Sequence, residues 1–90
     1  MFHIIVNSKG VEKIKGKASN RDELISLLNP DEIKFIFDND AYNAIEDVFK
    51  EVKKKQCKDS YICNIKDIQI NVVSDGYKIT TLVFYLWESF

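Results

Sequence analysis

Residues 65–87 read IKDIQINVVSDGYKITTLVFYLW, and this stretch decides the fold. Ile68, Gln69, Ile70, Asn71 and Val72 alternate apolar and polar with the period of a half-buried strand. Asp75-Gly76 is a two-residue hairpin signal, because such turns need positive φ at both central positions. The stretch therefore predicts two antiparallel strands, 65–73 and 77–87, with Ser74 opposite Tyr77. That register puts Ile68, Ile70 and Val72 on one face with Ile79, Thr81 and Val83, and predicts that this face packs on helices. Gln69 and Asn71 share the other face with Lys78 and Thr80. Leu82, Phe84 and Leu86 then fall on that second face beside Trp87, which predicts either a central strand or a hydrophobic interface for a homodimer.

Working outward, residues 38–55 carry Ala41, Ile45, Val48, Phe49 and Val52 at helical spacing, and Lys53, Lys54 and Lys55 lie where the negative end of the helix dipole favours cations. Residues 33–37, with Lys34 as their one polar member, read as an interior strand buried on both faces. A helix precedes it: Ser19 or Asn20 caps, Asp22 and Glu23 occupy the first turn, and Leu24, Leu27 and Leu28 form the stripe, with Asn29-Pro30 as the stop. At the N-terminus Phe2, Ile4 and Val6 alternate with His3, Ile5 and Asn7, and a turn at residues 7–10 leads into a weaker strand. Its Lys13, Lys15 and Lys17 share one face, as on a solvated edge.

The expected order is β-β-α-β-α-β-β, an α+β single domain spanning 1–90 with a mixed sheet and two helices packed on one face. Ninety residues that are 46% hydrophobic and 30% charged suit one core and are too apolar for a disordered chain. No apolar run approaches the roughly 20 residues of a membrane span, and residues 1–6 lack the pattern of a signal peptide, so a cytoplasmic location is expected. Cys57 and Cys63 are too few for a disulfide scaffold and are expected as two thiols, a bridge between them staying open.

Motifs of catalytic or metal-binding type are few and scattered along the chain. The stretch 33–40, an apolar run ending in Asp38 and Asp40, resembles the phosphate-transfer sites of haloacid-dehalogenase-like enzymes, which implies a small metal-dependent hydrolase. Two acids at a helix start also serve as caps. His3 is the one histidine, and with Cys57 and Cys63 it falls one ligand short of a four-ligand zinc site. The glycines at 10, 16 and 76 are scattered, so there is no phosphate loop. The reading is non-enzymatic, with no cofactor and no metal.

Charge is segregated beneath a net value of -1. Residues 22–47 hold eight acids and a single base, Lys34, whereas Lys50, Lys53, Lys54, Lys55 and Lys58 cluster just beyond. If the strand after the first helix runs parallel to the one before it, both helix starts share an edge, and Asp22, Glu23, Asp38 and Asp40 form an acidic rim. Such a rim attracts a basic protein, as in inhibitors of the immunity or antitoxin kind. Nucleic-acid binding through Lys50 to Lys58 is the alternative, against which stand the near-neutral net charge and the lack of aromatics among these lysines.

Overall fold

The computed structural model describes residues 1–55, 60–74 and 80–86. Its elements are β1 (Phe2–Ser8), β2 (Val11–Ala18), α1 (Arg21–Leu27), α2 (Pro30–Asp38), α3 (Tyr42–Lys55), β3 (Tyr61–Ile65), β4 (Ile68–Ser74) and β5 (Thr80–Leu86). The strands form one mixed sheet in the order β2-β1-β5-β4-β3. Among the described residues the central β1–β5 pair is the one parallel pair. The expected class, a small α+β domain with a mixed sheet, is what the chain adopts.

The helices pack on one face of that sheet. Leu24, Ile36, Ile45, Val48, Phe49 and Val52 meet Ile4 and Val6 of β1, Ile68, Ile70 and Val72 of β4, and Leu82, Phe84 and Leu86 of β5 in one cluster. Each such side chain contributes about 1.5–3 kcal/mol by leaving water.

Three expectations are corrected. Residues 33–37 are not a strand but the body of α2, so three helices stand between β2 and β3. Asn29 caps that helix: its Oδ1 accepts from the Glu32 amide, and Glu32 Oε1 accepts from the Asn29 amide. Pro30 at the first helical position loses nothing, since its missing N–H would have had no intrahelical partner. Asn29-Pro30 thus ends one helix and starts the next. The fifth strand is supplied instead by Tyr61–Ile65, which pairs with β4 at the sheet edge.

Secondly, Ser74 pairs with Thr80, not Tyr77, and Asp75, Gly76 and Tyr77 lie outside the described residues. This is a slip of odd parity, which turns every side chain of β5 to the opposite face. Leu82, Phe84 and Leu86 therefore line the core at 0%, 2% and 4% exposure and are no interface; Trp87 lies outside the described residues. The reason is burial: the apolar set Leu82, Phe84 and Leu86 leaves water against the helical layer, while Thr81, Val83 and Tyr85, two of which carry a hydroxyl, take the other face.

Thirdly, the lysines of β2 do not share a face. A bulge between Ile4 and Ile5 of the β1–β2 ladder leaves Lys15 as an extra residue, with Gly16 at φ 131°. Lys17 pairs with His3 on the face away from the helices, Lys13 pairs with Val6, and Lys15 reaches Glu32 at 2.9 Å. A Cβ at position 16 would sit 3.3 Å from Leu27 Cδ2, so glycine answers both the backbone angle and the approach of α1.

Candidate functional site

The start of α1 and the start of α3 meet at Arg21. Its Nη1 is 2.9 Å from Glu46 Oε2, donates to Asn43 Oδ1 at 3.2 Å, and lies 3.5 Å from the Tyr42 carbonyl oxygen. The guanidinium also sits over the Tyr42 ring, 3.8 Å from its centroid, a contact that favours a planar cation on an aromatic face. On Tyr42 stacks Phe37, with ring centroids 4.9 Å apart and planes 19° apart. Phe37 itself remains 53% exposed. Phe37 is thus an accessible surface aromatic stacked on a tyrosine whose own ring carries the Arg21 guanidinium.

The acids of the expected rim belong to the start of α1 and to the α2–α3 turn. Asp22 follows Arg21 and is exposed. Glu23 is engaged locally: its Oε1 accepts from the Ser19 amide while its own amide donates to Asn20 Oδ1, so Asn20 is the cap of α1. Asp38 is the last residue of α2, not the first of a following helix, and Asp40 sits in the α2–α3 turn at φ 54°. Asp38 pairs with Lys34 at 2.7 Å, and that hydrogen bond and charge hold the Lys34 ammonium above the ordinary lysine range. Asp40, its side chain 89% exposed, is 3.8 Å from Lys66. Surface pairs of this kind contribute little, so a partner's cations can replace them at small cost.

Phe37 was hidden in the sequence by the strand reading of 33–37. The signal was there in the Asn-Pro-Asp-Glu of 29–32, a helix start that places Phe37 in the last turn of α2, off the stripe that buries Ile36.

Beside Arg21 lies an open groove of about 230 Å³ lined by Asn20, Asp22, Glu46, Phe49, Lys50 and Lys53. Lys54 is exposed on α3, while the Lys55 side chain and Lys58 lie outside the described residues, as does Cys57. Cys63 is on β3 and half-buried, and His3 is on the sheet face away from the helices. Among the described residues no group of three His, Cys, Asp or Glu is placed to hold a metal ion, and no helix is long and apolar enough to cross a membrane. The resemblance to haloacid-dehalogenase-like sites required acids at a strand end; here Asp38 is the last residue of a helix and Asp40 lies in the turn after it.

No family model matches this chain, and no curated protein or solved structure matches it.

Proposed function

We propose that this chain is a non-enzymatic protein-binding module, of the inhibitor, immunity or antitoxin kind, that offers Phe37 and the flanking Asp22, Asp38 and Asp40 to a basic partner. The observation that supports it best is the exposed Phe37 ring, stacked on Tyr42 and followed in the chain by Asp38 and Asp40, whose surface ion pairs are replaceable. Energy at protein interfaces concentrates in pre-ordered aromatic anchors, while surrounding charges steer the encounter and set specificity. Glu23, whose carboxylate accepts from Ser19, serves the fold and is left out of the contact.

The test is affinity capture from the native host, followed by titration of the captured partner against two variants. Phe37→Ala is expected to weaken binding by at least about tenfold, the range of an interface anchor. The triple reversal Asp22→Lys, Asp38→Lys and Asp40→Lys is expected to slow association and flatten its salt dependence. Unchanged affinity in both variants, with unfolding midpoints intact, would overturn the proposal.

Nucleic acid has one observation in its favour, the Lys50 and Lys53 side chains on the groove beside Arg21. Asp22 and Glu46 line the same groove, and Arg21 and Lys50 both approach Glu46, at 2.9 and 3.6 Å. These acids reduce the charge offered to phosphates. An absence of gel shift at low salt would end that reading.

A further inference from the structure

The sheet face turned away from the helices carries a row that crosses all five strands. Ladder pairs link Ile14 to Ile5, Ile5 to Val83, Val83 to Asn71, and Asn71 to Ile62. Four of these five side chains are apolar. The exposed apolar surface is at the two outer strands, Ile14 at 83% and Ile62 at 59%, while Ile5 and Asn71 are half-buried and the central Val83 is 7% exposed. One row along the strands begins at Lys17, opposite His3; the row on the other side begins at Glu12, opposite Asn7. No described helix covers this face.

We infer that this face is the contact between two copies of the chain. Two identical sheets stacked face to face are related by a twofold axis lying between them, and aligned packing keeps that axis within about 15° of either the strands or the rows. An axis along the rows sets Ile14 over Ile14 and Ile62 over Ile62, and it exchanges the flanking rows, so that Lys17 of each copy lies over Glu12 of the other. An axis along the strands sets β2 over β3 and gives neither lysine nor glutamate an opposite charge. The charge pattern therefore selects the first arrangement.

The face measures about 24 Å across five strands and about 20 Å along them, from strand spacing and rise. Two such faces bury on the order of 1,000 Å², the lower limit for a specific interface, so the dimer is weak. Packed sheets cross at about 30°, which keeps the central row in contact and lets the corner charges meet through long side chains. Phe37 and its neighbouring acids are on the helical layer and stay outside this contact.

Sedimentation equilibrium on the intact chain tests the inference. Over roughly 10 to 500 μM the mass is expected to rise from 10.5 kDa towards twice that value, as for a micromolar dissociation constant. Ile14→Asp is expected to hold the chain monomeric without unfolding it, which far-UV circular dichroism checks, since this side chain is already in solvent. Lys17→Glu is expected to weaken the dimer by about tenfold, and Glu12→Lys added to it to restore the dimer, because the pair is only reversed. A monomer at every concentration overturns the inference. So does a dimer indifferent to Ile14→Asp, or one that the double reversal fails to restore, which would point to the other axis.

Discussion

Glu32 serves two partners through one oxygen. Its Oε1 accepts from the Asn29 amide and faces Lys15 Nζ, each at 2.9 Å, with the Glu32 side chain 6% exposed and that of Lys15 13%. A buried charge is tolerated when such bonds replace its hydration, and removing one partner leaves the other without compensation. Glu32→Ala leaves both the lysine and the amide unsatisfied, and we expect a loss of about 2–4 kcal/mol, below the full cost of breaking a buried pair because the site borders solvent. Lys15→Met, which leaves the Asn29 hydrogen bond, should cost less than half as much. Urea unfolding of both variants measures this, and equal losses would mean that the cation, not the cap, holds Glu32 in place. The pair was not legible in the sequence, because strict alternation puts Lys15 beside Lys13 and Lys17 in water. The bulge that separates them has one mark, Gly16 inside a strand pattern, and a glycine there signals a break in the ladder without saying which residue is set apart.

At the scale of the element, α2 shows where pattern reading stops. An apolar run of five residues fits a buried strand and the interior of a helix equally, and only its ends discriminate. The ends were explicit: Asn29 three residues before Glu32, with proline between them, forms a capping box that exists only at a helix start. We therefore expect Asn29→Ala to cost about 1 kcal/mol in thermal or urea unfolding, and Asn29→Asp to cost nearly nothing, since aspartate caps as well. A loss well under 0.5 kcal/mol for the alanine variant would show that packing of Ile36 alone keeps α2 in place. By contrast, the body and C-terminal end of α3 were legible, because fourteen residues hold four turns of consistent spacing, while its start at Tyr42 was read too early, at Asp38 to Asp40. The β4–β5 hairpin lay between these cases. Both strands were evident from alternation, but their register was tied to an Asp-Gly signal, and an odd slip reversed the faces of β5. The acidic rim was legible as composition only, since its geometry depended on a third strand that is α2.

For the whole molecule, the order in which the chain visits the sheet matters more than any one contact. The hairpins β1–β2 and β3–β4 occupy opposite sides, and β5, the last strand in sequence, lies between them, paired with β1 on one side and β4 on the other. Neither hairpin reaches the other without it. Leu82, Phe84 and Leu86 fill the middle of the core, so the helical layer also lacks its floor until β5 arrives. Two-stranded hairpins are marginal in water, and pairing strands this far apart in sequence is paid for in loop entropy before contacts return it. Folding should accordingly be all-or-none, with the one distant pairing, β1 with β5, as its slow step, and at the intermediate rates, on the order of milliseconds, of mixed α/β domains. A chain ending at residue 79 tests this directly. It keeps four strands and all three helices, yet we expect no cooperative urea transition and no protected amides beyond those of a fluctuating α3. A persistent sigmoidal transition would mean that the α1–α3 contact through Arg21 and the β1–β2 hairpin form a folding unit by themselves, and that β5 completes the sheet without nucleating it.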